Sequence, residues 1–319
     1  MPVSFPIKGL HHVTATTDAA GPDFYFYTSI LGLRLVKQTV NFDDPKVYHL
    51  YYGDREGNPG SIMTTFPYQG HGVRKGIAGT GQVACTAFSV PAGALSFWMK
   101  RLQSHRIPYE RRDVFGEDRI HFMDPAGLQL ALVTASEEER TPWTAAGIAT
   151  EVAIRGLHSV QLSLNGLSPS LQFLEEEFAA KQLSAEGHII RLALEEGFPG
   201  QLIDLIDHTG LERAHGGWGT VHHVAFQVAD LEALQAYRKR LREDLKFNVT
   251  EIKDRKYFQS IYFRMPGKVL FEIATRVPGF NRDEAMEHLG EKLMLPDWAE
   301  PERTKIMQQL PPLRGIGQT

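Results

Sequence analysis

GLHHVTAT (Gly9–Thr16) has the alternation of a short β-strand, and its pattern returns three times: in QVACTAFSV (Gln82–Val90), GLHSVQLSL (Gly156–Leu164) and TVHHVAFQV (Thr220–Val228). Each copy is followed by an amphipathic helical stretch and then by further strands that end in a Pro/Gly turn and an apolar run. In the first copy Asp18 and Pro22 open a helix through PDFYFYTSIL, Gly32 closes it as a residue suited to positive φ, and VYHLYYGD and SIMTTFP complete the unit. The second closes with DPAGLQLALVT, the third with PGQLIDLID, and the fourth with the hairpin FQSIYFRMPGKVLFEIAT, turned at Pro266-Gly267. The expectation is an α+β fold of four βαβββ modules in two open, barrel-like sheets. The spacing suggests two paired-module domains, 1–140 and 150–280, joined by the polar stretch ASEEERTPWTAAGIATE and followed by a C-terminal extension, 281–319, whose end should fray.

Superimposing the copies singles out the residues that carry chemistry. Equivalent positions of paired units face one concave surface and can converge. The first-strand position reads His12, Ala84, Ser159 and His223; the last-strand position, to within one residue, reads Thr65, Ala131, Leu205 and Glu272. Only His12, His223 and Glu272 among these are metal-ligating side chains. Two imidazoles and one carboxylate with open positions form the facial set of non-heme Fe(II) oxygenases, and the same set admits Mn(II). Because the histidines belong to copies one and four, those modules should share a sheet, leaving copies two and three as a structural half.

A lone strand histidine is more often a hydrogen-bonded structural residue than a ligand. What argues for ligation here is coincidence of place. Both His-His pairs fall at the same point of the repeat, and a buried, unpaired Glu within VLFEIA would be costly. His71, His105, His121, His188, His208 and His215 lack that placement and read as surface or structural, as does the Asp43-Asp44 turn. Phe24 to Tyr27 read as core and interface, and GIAGTG (76–81) precedes a strand, so it reads as a connector and not as a phosphate loop.

The 319 residues, with a net charge of −4 and one cysteine, bound the remaining classes. Cys85 has no intramolecular partner, so a reducing, cytoplasmic setting is expected. No stretch has the length of an apolar membrane span or the form of a leader, and no basic stripe marks a nucleic-acid surface. A soluble homo-oligomer with small-molecule partners is the expectation.

The segments GLHHVTATTDAAGPDFYFYTSILGLRLVKQTVNFDDPKVYHLYYGD (9–54), GNPGSIMTTFP (57–67), GTVHHVAFQVAD (219–230) and DRKYFQSIYFRMPGKVLFEIATRVPGF (254–280) resemble the vicinal oxygen chelate superfamily (glyoxalases, bleomycin resistance proteins and extradiol dioxygenases). Within it, the chain is similar to ring-cleaving dioxygenases acting on hydroquinones, including chlorohydroquinone 1,2-dioxygenases. The resemblance implies Fe(II) held by His12, His223 and Glu272, with an aromatic diol and O2 as partners. It further implies His11, His222 and Tyr262 as catalytic residues that move protons or donate a hydrogen bond, and Thr14 as a pocket residue. Arg255 or Lys256 would supply a cation, the chain having DRKYF where those enzymes carry a longer loop. Period-two alternation would put His11 and His12 on opposite faces of one strand, so a structural hydrogen bond beneath the metal is the alternative for His11. Other chemistries on this scaffold are a glyoxalase-type metal-dependent isomerase or lyase, which would need a fourth protein ligand near Thr65, and a ligand-sequestering protein without catalysis.

Overall fold

Strand-forming runs rich in Val, Ile, Thr and aromatic residues, each broken by a glycine or proline turn, give the chain its modules. The computed structural model describes residues 5–136 and 138–313; the fraying expected of the terminus concerns 314–319, outside the described residues. Module one holds β1 (Leu10–Thr17), α1 (Ala20–Tyr25), β2 (Arg34–Asn41), β3 (Asp44–Gly53) and β4 (Ile62–Pro67). Module two holds β5 (Gln82–Pro91), α2 (Leu95–Ser104), β6 (Tyr109–Val114), β7 (Glu117–Met123) and β8 (Gln129–Ala135). Module three holds β9 (Gly156–Leu164), α3 (Ser168–Phe178), β10 (Lys181–Glu186), β11 (Ile189–Ala193) and β12 (Leu202–Asp207). Module four holds β13 (Thr220–Val228), α4 (Leu231–Lys239), β14 (Lys253–Asp254), β15 (Gln259–Arg264) and β16 (Leu270–Thr275), and α5 (Arg303–Gln309) ends the extension.

Two eight-stranded sheets result, ordered β14-β15-β16-β13-β1-β4-β3-β2 and β10-β11-β12-β9-β5-β8-β7-β6. The first joins modules four and one through antiparallel β1 and β13, the second joins modules three and two through β5 and β9. This is the pairing that the two histidine-bearing strands required. Each half of the sequence, 1–140 and 150–280, is split between the sheets. One continuous core, with Phe26, Tyr27, Trp98, Phe178, Leu157 and Phe226 buried in it, spans both sheets and their helices. Full burial of such side chains contributes roughly 1.5–3 kcal/mol each. Of the first-helix aromatics, Phe26 and Tyr27 lie in this core, while Tyr25 is exposed.

The connector GIAGTG runs backbone to backbone against 212–218, with bridges from Lys75 to Trp218, Ile77 to His215 and Thr80 to Arg213. A side chain at Gly79 would meet the Glu212 carbonyl at 2.4 Å, which accounts for glycine there. The C-terminal extension is fastened to module one by Lys37, which is fully buried and bonded to Asp283 at 2.7 Å and also to Glu284.

Each first strand carries a bulge at the same place. Pairing skips His11 and His222 between β1 and β13, and Ala84 and His158 between β5 and β9. The residues after the bulges are therefore His12, Cys85, Ser159 and His223, and the parallel register places Thr64, Ala131, Asp204 and Glu272 in the last-strand position. Ala84, Thr65 and Leu205, expected from the aligned strings, are each displaced by one. An inserted residue shifts the register by one, and a one-residue shift moves a side chain to the opposite face.

The second sheet consequently does not leave its equivalent position empty. Asp204 stands where the first sheet has Glu272, and Arg191 grips it with two hydrogen bonds of 2.7 and 2.8 Å. Glu117 forms an ion pair with Arg191 at 2.7 Å and accepts from the fully buried Arg119. Two guanidiniums already balance the carboxylates at this position. Asp204→Ala should cost roughly 3–5 kcal/mol by stranding buried charge, measured as a lowered denaturant midpoint, with bound metal per chain unaltered. A variant that lost metal with its midpoint unchanged would contradict this assignment.

Candidate metal centre

Bulges in β1 and β13 allow two consecutive histidines to act on one side of each strand. His12 Nε2, His223 Nε2 and a Glu272 oxygen converge although the residues are far apart in sequence: the nitrogens are 3.2 Å apart and lie 3.0 and 2.8 Å from Oε2. All three side chains are buried. Despite these short distances neither Glu272 oxygen has a properly aligned hydrogen-bond donor, so proximity here is not hydrogen bonding. Ligand atoms about 2.1 Å from a six-coordinate ion and at right angles to each other lie about 3.0 Å apart, so the trio fits three adjacent positions on one divalent cation. Burial alone would raise the Glu272 carboxyl, but His12 and His223 outweigh it and hold it well below the usual carboxylate range. Burial depresses His223 as well, which keeps its ring neutral and able to ligate.

Hydrogen bonding behind the ligands sets their tautomers. His11 Nε2–H donates to the Thr275 carbonyl at 3.2 Å, so His11 Nδ1 is an acceptor and takes the Nδ1–H of His12 at 2.9 Å. That leaves the His12 Nε2 lone pair directed at Glu272. His222 repeats the arrangement, its Nδ1 lying 2.8 Å from Nδ1 of His223. Burial, then the neighbouring His12, pushes His11 down to about 3, consistent with a neutral acceptor. His11 does not line the cavity, and the bulge, by setting both rings on one side, lets its Nδ1 bond that of His12. His11→Ala should weaken metal affinity about 10–100-fold, the usual cost of losing such a partner. Titrating the stripped protein with metal measures it; an unchanged affinity would remove His11 from the support of His12.

A cavity of about 200 Å³ opens over the trio, lined among others by His49, Tyr51, Phe66, Tyr68, His222, Arg255, Phe258 and Tyr262. An engineered apolar cavity of about 150 Å³ takes up benzene, so the space suits one aromatic ring with small substituents. Tyr262 faces Glu272 across the β15–β16 ladder, stands edge-on to His223, and accepts from Arg255 Nε at 3.3 Å. Burial and then Glu272 raise its phenol, so it stays a donor. His222 lies at the cavity edge, and burial of its ring, then the neighbouring His223, push it down to about 3.

Two expected positions differ in the structure. Lys256 turns away, bonding the Leu295 carbonyl at 2.9 Å and Asp283 at 3.0 Å, so Arg255 is the only one of the two candidate cations in the cavity. Thr14 is fully buried and does not line the cavity; it accepts from Thr64 at 2.8 Å. Asp43 is the exposed turn residue expected, and it also stands at the cavity mouth 3.4 Å from Arg255.

The residue that sequence reasoning missed is His49. Its Nε2 lies 2.9 Å from Thr64 and its Nδ1 2.9 Å from the Tyr51 hydroxyl. With Thr64 donating onward to Thr14, the bonds run in one direction: Tyr51 O–H to His49 Nδ1, and His49 Nε2–H to Thr64. Burial first, and then the neighbouring His12, keep His49 well below its ordinary value. The available signal was the alternation of His49 and Tyr51 in VYHLYYGD, which places both on one face of β3.

Residues 9–273 match the glyoxalase/bleomycin resistance protein/dioxygenase superfamily. The chain belongs to this superfamily. Among curated members it is similar to a Bacillus subtilis protein provisionally named ring-cleaving dioxygenase MhqE, 44% identical over 96% of this chain and 99% of that one. It is 34% identical to the chlorohydroquinone/hydroquinone 1,2-dioxygenase of Sphingobium indicum, over 95% and 96% of the two chains. A crystal structure of a provisionally named dioxygenase from Bacillus subtilis superimposes with a TM-score of 0.92 at 42% identity, covering 98% of this chain and all of that one. Maize glyoxalase I, at 17% identity and a TM-score of 0.64, shares the superfamily fold. No helix among the described residues is long and apolar enough to cross a membrane.

Proposed function

We propose that this superfamily member is an Fe(II)-dependent, extradiol-type ring-cleaving dioxygenase that opens a hydroquinone or catechol ring with O2. The observation that carries the reading is the convergence of His12, His223 and Glu272 beneath a cavity sized for one aromatic ring. The names of the relatives support the same class of substrate. Iron held by the trio would supply Lewis acidity toward a phenolate oxygen and a path for electrons from the ring to O2.

The chain's own residues do the remainder. Phe66, Phe258 and Tyr68 enclose the ring and exclude water. A substrate hydroxyl donating to Tyr51 or directly to His49 loses its proton to His49 Nδ1, while Nε2–H stays engaged with Thr64 and holds the imidazole in place. Tyr262, polarised by Arg255, donates a hydrogen bond to an oxygen of the bound diol. Arg255 in turn balances developing negative charge and is held at the mouth by Asp43. His222, kept neutral by burial and by the neighbouring His223, braces that ring through Nδ1.

A glyoxalase-type isomerase would need a fourth protein ligand. The equivalent position is Thr64, whose hydroxyl is already engaged by His49 and Thr14. Oxygen uptake by anaerobically iron-loaded protein should be seen with hydroquinone or catechol and not with a methylglyoxal–thiol adduct. Loss of the adduct without oxygen uptake would establish the isomerase, and binding of a diol with no turnover would establish a sequestering protein. Loading with Mn(II) in parallel tests the choice of iron.

A further inference from the structure

A second cavity, of about 560 Å³, adjoins the metal centre on the far side of His222. It shares Tyr68, His222 and His223 with the first cavity and is otherwise walled by the ends of β1, β5, β13, β15 and β16, by Val73 and by the loop 213–217. Arg213 and Arg264 both line it, together with His215, and no Asp or Glu does. Among the described residues neither guanidinium pairs with a carboxylate; the side-chain hydrogen bond of Arg264 goes to the Lys268 carbonyl at 2.8 Å. Burial, and then Arg213, depress Arg264, as expected for two cations sharing a space without a counter-ion. At the mouth of the first cavity, by contrast, Asp43 stands 3.4 Å from Arg255.

We propose that this second cavity is an anion-binding vestibule through which the ring-opened carboxylate product leaves the metal centre. The inference rests on the ring-cleaving reading above. Adding O2 to hydroquinone breaks one ring carbon–carbon bond and places both oxygen atoms in the product. The carbon that bore a hydroxyl becomes a carboxyl, its neighbour becomes an aldehyde, and no further oxidant is needed. A neutral diol thus becomes a linear six-carbon carboxylate, its proton passing to solvent. The neutral substrate has no use for unpaired guanidiniums, whereas the anion is drawn from behind His222 toward Arg213 and Arg264, which bind carboxylates with charge-assisted, bidentate geometry.

The test uses iron-loaded protein and sorbate, a linear six-carbon dienoate, with sorbyl alcohol as the neutral control. Sorbate should bind in calorimetry and the alcohol should not, and Arg213→Gln with Arg264→Gln should weaken sorbate by about tenfold or more, the scale of a lost charged hydrogen bond. The double variant should keep its metal content and single-turnover rate while its multiple-turnover rate falls, and Arg213→Lys with Arg264→Lys should restore much of the binding. Equal sorbate affinity in native and Gln-substituted proteins, or equal losses in single- and multiple-turnover rates, would overturn the proposal. Absent oxygen uptake with every diol would instead refute the ring-cleaving reading, and it is distinguishable because sorbate binding needs no turnover.

Discussion

Glu272→Gln is expected to abolish oxygen uptake and to lower metal affinity by at least about 100-fold, beyond the 10–100-fold that loss of a partner behind a ligand costs. The substitution keeps the volume of the side chain and removes its charge. Glu272 is fully buried, is the only carboxylate of the trio, and has no aligned donor of its own, so it is free to neutralise a cation. An amide at that position leaves a divalent ion between two neutral imidazoles with uncompensated charge in a low-dielectric site. Elemental analysis per chain alongside oxygen-electrode rates measures both effects, and circular dichroism checks that the fold persists. A Glu272→Gln protein that retained its metal and its rate would remove the trio from the chemistry altogether.

The second large effect is expected at His49. His49→Gln should lower kcat by about 10²–10³, within the range that a positioned general base contributes, while metal content stays at the native level. The separation follows from geometry: His49 lies in the cavity wall on β3 and hydrogen-bonds Thr64 and Tyr51, not the ligands. Thr64→Val should give a milder loss of about tenfold by freeing Nε2, since the imidazole would remain. Loss of metal together with kcat in His49→Gln would show that His49 supports the ligands and not the proton transfer. An unchanged kcat would show that another group takes the substrate proton.

The metal trio and the module pairing were readable because both depend on repetition. A βαβββ unit imposes the same alternation each time, and two His-His pairs at one point of it, with one Glu in an apolar last strand, require modules one and four to meet. His49 was not readable in the same way. It stands on a middle strand that the comparison of first and last strands never samples, and a Tyr- and His-rich β3 has the same local pattern whether its face lines a cavity or packs against a layer. Lys256 and Arg255 are adjacent in sequence and equally basic. What separates them is that Lys256 bonds the Leu295 carbonyl and Asp283 in the C-terminal extension, while Arg255 turns to Tyr262 and Asp43.

By itself, the sequence determined the four-module architecture, the sheet partners and the convergence of His12, His223 and Glu272, because alternation and side-chain type are properties of short segments. Tertiary structure alone decided which face each residue occupies. One bulge per first strand shifts the register by a residue, turning Cys85 and Asp204 inward in the second sheet and setting His11 beside His12 in the first. Whether such a position holds a cation or is filled by the guanidiniums of Arg119 and Arg191 depends on what the curled sheet brings opposite it, and that is not written in any one segment of the chain.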